Sequence, residues 1–112
     1  FHKTGWLEKE GHINKAFRRR WFVLIGGTLS YYETNGDDAE LLGVVPLRGC
    51  HVGRPKNERP GRFAFRVDST GGRSDKHILA ATTENLREEW ISAIQEESGI
   101  VAPTAALPLQ PS

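Results

Sequence analysis

Apolar and polar residues alternate along most of this chain, in short runs separated by turn residues. Residues 5–10, 18–25, 28–33, 42–47, 50–53, 62–67 and 76–81 each carry the two-residue period of a β-strand. The run 18–25 is the strongest, because it is rich in aromatic and β-branched side chains. Gly26-Gly27 is a two-residue hairpin signal between the second and third strands. Residues 11–15, Asn35-Gly36-Asp37-Asp38 and the Gly/Ser/Asp-rich stretch 68–75 read as loops. After Ala81 the period changes: Leu86, Trp90, Ala93 and Ile94 recur at helical spacing on an otherwise acidic segment. Thr82 or Thr83 caps the start of this helix and Gly99 ends it. The pattern predicts a mostly β fold, a small barrel or orthogonal sandwich, plugged by one C-terminal amphipathic helix that buries Trp90.

Length and composition narrow the picture. At 112 residues the chain is one domain, with 38% hydrophobic and 26% charged residues as in an ordinary globular fold. No apolar run exceeds five residues, too short to cross a bilayer as a helix. The chain opens on Phe1 and not on Met, so it reads as part of a longer protein with any targeting signal outside it. Residues 1–98 form the domain, and 99–112, with Pro103, Pro108 and Pro111, an extended linker. Pro108-Leu109-Gln110-Pro111 matches a polyproline-ligand pattern, too short to set the function. The single cysteine, Cys50, excludes a disulfide framework and reads as a small buried thiol, consistent with a reducing, cytoplasmic setting. His2, His51 and His77 lack metal-ligand spacing, and Gly71-Gly72 lacks the strand-to-helix context of a phosphate loop. No metal or cofactor is expected, and Ser and His residues form no triad-like arrangement, so an enzyme is not expected either.

The net charge of +1 hides an asymmetry. Lys3, Lys9, Lys15, Arg18, Arg19 and Arg20 crowd the first twenty residues, while Glu84, Glu88, Glu89, Glu96 and Glu97 dominate the helix. An electrostatic dipole of this kind orients approach to an anionic partner. Strand alternation then makes a geometric claim. If Leu7, Phe22 and Leu24 face the core, Lys9, Arg18 and Arg20 point the same way, and Leu29 and Tyr31 continue that face. Cations aimed inward are costly unless paired or at a solvent-filled mouth, and Glu8 lies on the opposite face. A phosphate-rich anion suits such a cluster, because Arg offers a planar fork of donors, Lys a compact charge and Tyr31 a hydroxyl. Alternation alone equally allows a solvated basic edge that discourages sheet aggregation. A nucleic-acid platform is disfavoured, since Trp21 and Phe22 are committed to packing and the pI of 8.1 is modest.

Several segments, in this order, resemble the pleckstrin homology (PH) domain family. They are Gly5-Trp6-Leu7-Glu8-Lys9, Arg18-Arg19-Arg20-Trp21-Phe22-Val23-Leu24, Leu29-Ser30-Tyr31-Tyr32, Gly43-Val44-Val45-Pro46-Leu47, Phe63-Ala64-Phe65, Ile78-Leu79-Ala80-Ala81 and Glu88-Glu89-Trp90. The resemblance covers about residues 4–98. It implies a seven-stranded barrel of two near-orthogonal sheets, capped by a helix whose Trp90 packs into the core. It also implies a non-catalytic module recruited peripherally to membranes, with phosphoinositides and other anionic lipids as partners. The binding signature of members that take 3-phosphorylated inositol lipids matches Lys9, Arg18, Arg20 and Tyr31, and Lys15 falls where a further loop cation is common. His12, Ile13, Arg19 and Arg73 are secondary contacts by the same resemblance and by position; Ile13 at a loop tip either enters the lipid interface or is an ordinary loop residue. Departures exist as well. Leu42 stands where the tightest trisphosphate binders carry a base, the 10–17 loop is compact, and Arg73-Ser74 replaces an Asn-His pair. Phosphatidic acid, or a peptide or small GTPase as protein partner, therefore stay open as alternatives.

Overall fold

The computed structural model describes residues 2–11, 13–57, 59–69 and 75–99. His12, Gly71, Gly72, Arg73, Ser74 and the Pro-containing tail lie outside the described residues. Seven strands precede one helix: β1 (His2–Glu10), β2 (Phe17–Ile25), β3 (Thr28–Tyr32), β4 (Leu41–Pro46), β5 (His51–Gly53), β6 (Phe63–Ser69), β7 (Asp75–Ala81) and α1 (Glu84–Ser98). Each expected strand and the helix are present. The expected loop at 68–75 is shorter, because Asp68 and Ser69 pair in β6 with Lys76 and Asp75 of β7.

The strands hydrogen-bond in the order β4-β3-β2-β1-β7-β6-β5, each neighbour antiparallel where its register is resolved. The two expected sheets are thus halves of one ladder, joined where Glu8 and Lys9 of β1 meet Ala80 and Leu79 of β7. The sheet is not closed: β4 and β5 are its two edges. Positive φ at Gly26 and Gly27 makes the β2–β3 hairpin tight, a conformation that glycine adopts without steric cost.

The inward faces meet in one core. Leu7, Phe22, Leu24, Leu29, Val45, Leu47, Cys50, Phe65, Val67 and Leu79 are buried there with Trp90 and Ile94 of α1. The helix is held at both ends. The Thr83 side chain accepts the Leu86 N–H at 3.1 Å, and Gly99 closes the C-terminus in the left-handed region at φ 80°. Trp90 is 2% exposed and lies against Gly5, where an added Cβ would come within 3.3 Å of its ring. Gly5 therefore makes room on β1 for the indole. Lys3 extends the contact, with its ammonium 5.2 Å from the Trp90 ring and 3.2 Å from Glu89. Cys50 is a free, buried thiol of the core, and burial raises its pKa.

At the far end of α1 the carboxylate of Glu97 accepts the Gly27 N–H at 2.6 Å and so ties the helix to the β2–β3 hairpin. That bond is the main reason the Glu97 pKa is lowered. A lowered carboxylate contributes stability that is present above its unfolded pKa and lost as pH falls through the folded value. Glu97→Gln should therefore lower stability at neutral pH and flatten the acid limb of the pH–stability curve, read by denaturant titration across pH. Trp90→Ala should cost about 3–5 kcal/mol, as truncation of a buried Trp does, with the same titration as readout.

Candidate anion-binding site

The register of β1, β2 and β3 stacks the inward face in tiers. Gly5 pairs with Phe22, Leu7 with Arg20 and Lys9 with Arg18, while Phe22 pairs with Tyr31 and Tyr31 with Gly43 of β4. Moving from the helix toward the open end, the face changes from aromatic and aliphatic side chains to cations. The outcome is a concavity of about 220 Å³ lined by Lys9, Arg18, Arg20, Tyr31, Leu42 and the Glu10–Gly11 corner.

The site is built onto the core, not merely placed beside it. The Tyr31 ring stacks on the fully buried Phe22 with centroids 5.3 Å apart and an interplanar angle of 27°. The Lys9 ammonium lies 5.3 Å from the Tyr31 ring. Arg20 spends one guanidinium N–H on the Arg19 carbonyl at 3.2 Å, which leaves its other donors to the mouth. Burial, and then the charge of Arg20, hold the Lys9 pKa below its ordinary value. Burial raises the Tyr31 pKa, with Arg20 opposing, so the phenol stays a donor. The one carboxylate lining the concavity among the described residues, Glu10, follows Lys9 and so belongs to the opposite face of β1. There Arg59 binds it at 2.8 Å and 3.2 Å. Glu8, also on that face, is paired with Arg62. Chemically, the mouth offers two guanidinium groups, an ammonium and a phenol to an anion with several oxygens.

Other expected residues fall around it. Arg19 is on the outer face, 4.1 Å from the Trp6 ring, and Trp6 meets Trp21 edge-on at 5.2 Å. Ile13 is 98% exposed at the loop tip. Lys15 is carried to the other side of the β1–β2 loop, where it lines a neighbouring cleft with Lys56, Arg59, Arg66 and Lys76. The turn explains this placement: Gly11 N–H donates to the Ala16 carbonyl, Ala16 N–H donates to Asn14 Oδ1, and a Cβ at Gly11 would collide with the Asn14 carbonyl. Arg59 was not singled out from the sequence. Its pairing with Glu10 spans 49 positions and leaves no local pattern. Among the described residues no group of three His, Cys, Asp or Glu side chains is placed to hold a metal, and no helix is long and apolar enough to cross a membrane.

The family model for the PH domain matches residues 1–99, and the chain belongs to that family. Members are non-catalytic modules, commonly for phosphoinositide binding or protein interaction. The chain is 39% identical over 101 residues to Rho GTPase-activating protein 24 of Homo sapiens, covering 83% of this chain and 13% of that protein. It is 40% identical over 95 residues to Sesquipedalian-1 of Mus musculus, covering 85% of this chain and 35% of that protein. The match thus spans only a minor part of these relatives' length. Among solved structures, the carboxyl-terminal PH domain of pleckstrin superposes with a TM-score of 0.73 at 35% identity, covering 86% of this chain and 95% of that one. The same pleckstrin domain in complex with D-myo-Ins(1,2,3,5,6)P5 gives a TM-score of 0.74 at 35% identity, covering 86% and 93%.

Gly43 supports the site from beneath. A Cβ at position 43 would sit 2.5 Å from the Tyr31 ring and hydroxyl. Gly43→Ala should displace the phenol, change the near-ultraviolet dichroism and weaken anion binding severalfold, while the far-ultraviolet spectrum stays that of the folded chain.

Proposed function

We propose that residues 1–98 form a membrane-recruitment module that binds multiply phosphorylated inositol headgroups through Lys9, Arg18, Arg20 and Tyr31. The observation that carries this reading is the tiered inward face. Three cations and a phenol continue the core face of β1–β3 to an open end, and the adjoining carboxylate is engaged by Arg59. Uncompensated charge at a half-buried mouth is stabilised by an anion with several oxygens. The pleckstrin domain solved with an inositol pentakisphosphate supports the same ligand class. Lys15 and Arg19 add attraction to an anionic leaflet, and Ile13 presents an apolar tip to the interface. His12 and Arg73 stay in the reading as secondary contacts by position. Leu42, 38% exposed at the mouth, offers the headgroup no donor. Phosphate charge, more than phosphate position, then sets the preference, which brings phosphatidic acid within range.

A second reading, a module for a peptide or small GTPase, draws on Leu41 and Val44. Both are about half exposed, at 50% and 51%, on edge strand β4. One variant separates the two. Arg20→Ala should abolish most sedimentation with vesicles containing phosphatidylinositol trisphosphate and leave the thermal melt near wild type, since Arg20 stands above the packed core. Sedimentation at wild-type levels by a folded Arg20→Ala protein would overturn the headgroup assignment and favour the protein-binding reading.

A further inference from the structure

The open sheet has two edges of unequal character. β5 is three residues long and α1 packs against it, a short edge with a helix beside it. β4 is six residues long, Leu41–Pro46, and carries no charge. Three of the six exposed large apolar side chains among the described residues, Leu41, Leu42 and Val44, stand on it. An uncharged, apolar edge of this length is a template for pairing with another strand.

The hydrogen-bond pattern shows which groups that edge offers. Leu47 N–H donates to the Gly27 carbonyl at 2.9 Å, and the register runs on through Pro46–Thr28, Val45–Leu29, Val44–Ser30 and Gly43–Tyr31. Bonded and non-bonded pairs alternate along an antiparallel ladder. Leu47, Val45 and Gly43 therefore turn their backbone groups toward β3, while Val44 turns its N–H and carbonyl to the open edge. Pro46 has a carbonyl to offer there but no N–H, which limits pairing at that end.

Charge at the two ends of the edge selects its occupant. Glu33, Asp37, Asp38 and Glu40 are all exposed on the β3–β4 connection, with no base among them. Arg48 stands exposed just beyond the other end. Neither Glu40 nor Arg48 joins an ion pair among the described residues. A parallel neighbour of the same sequence would set two acidic connections side by side. An antiparallel one sets the acidic end of each copy against Arg48 of the other, twice about a two-fold axis. With the axis at Val44, the backbone N–H and carbonyl of each Val44 meet those of the other, and the two side chains become cross-strand neighbours. Glu40 then lies toward Arg48 of the second copy, because the two stand equally far along the chain from Val44.

We propose that β4 is a self-association edge: two copies of this chain pair antiparallel through Val44, with Glu40 of each beside Arg48 of the other, into one continuous sheet. The proposal goes beyond the headgroup reading and does not depend on it. It gives to a second copy the edge that a foreign peptide would otherwise use. Because Leu42 lines the mouth at one end of β4, antiparallel pairing sets the two mouths toward opposite ends of the seam.

The test is sedimentation velocity of the 112-residue chain at low salt, from micromolar to millimolar protein. A concentration-dependent equilibrium between monomer and dimer is expected. Val44→Lys sets like charges opposite each other at the centre of the seam and should leave the chain monomeric. Its thermal melt should stay near wild type, since Val44 is half-exposed. Arg48→Glu alone and Glu40→Arg alone should each raise the dimer dissociation constant about tenfold or more, because attraction turns to repulsion at both ends. An equimolar mixture of these two variants should dimerise again, and so should the Glu40→Arg/Arg48→Glu protein. Recovery on mixing reports contact between copies, which a change inside one chain cannot produce. A wild-type chain that stays monomeric throughout would overturn the proposal. So would single charge variants that dimerise like wild type, a mixture that fails to recover, or a folded Val44→Lys protein that is still dimeric.

Discussion

The constraint on which the rest depends is that one face of β1 and β2 must serve both the core and the mouth. Leu7, Phe22 and Leu24 are at most 2% exposed, and a strand cannot bury these without aiming Lys9, Arg18 and Arg20 the same way. A one-residue slip would move the cations outward and expose the core, so the fold holds the charges where they are. Their cost appears in the titration of their neighbours. Burial and Arg20 both disfavour the charged form of Lys9, which an incoming anion would restore. The charge of the mouth and the packing of the core are therefore linked through the same alternation.

β1 carries this link along its length. Its inward residues run from Gly5 under Trp90, through Leu7 in the core, to Lys9 at the mouth. The helix thus acts on the site at a distance of four residues along one strand, by fixing the position of β1 against the sheet. Glu97 fixes the β2–β3 hairpin in the same manner from the other end of the helix. The mouth has its own fastening at the Glu10–Gly11 corner, where Arg59 holds Glu10 and the Gly11 N–H donates to the Ala16 carbonyl.

Much of this was legible from residue spacing. A period of two over β1–β3 suffices to place Lys9, Arg18, Arg20 and Tyr31 together, because tight turns and local register do the rest. Trp90 and its helix were equally visible, since a change of period and a Thr–Gly pair of caps are local signals. What escaped the spacing was anything that needs pairing between distant segments. The family resemblance set Lys15 beside the headgroup cations, yet the tight turn at Gly11 carries it to the outer side. Lys56, Arg59, Arg66 and Lys76 are scattered through three segments and converge only once β6 and β7 are in register. The open sheet, with edges at β4 and β5, is likewise a consequence of long-range pairing that no strand announces by itself.

Glu10 shows how the pleat of one strand separates neighbouring charges. It directly follows Lys9 on β1. The strand pleat turns Glu10 away, and the guanidinium of Arg59 binds both of its oxygens at 9% exposure. The pair fastens the β5–β6 loop to the end of β1, and the hydrogen bond to Glu10 is what chiefly raises the Arg59 pKa. Two opposite charges held that close leave a wall of little net charge between the two basic clefts, where an unpaired Glu10 would weaken the field of both. The value of such a partly buried pair to stability is modest at best, since desolvation offsets attraction. Its contribution is better understood as electrostatic geometry: it neutralises the one carboxylate at the corner between two concavities that are otherwise lined by cations.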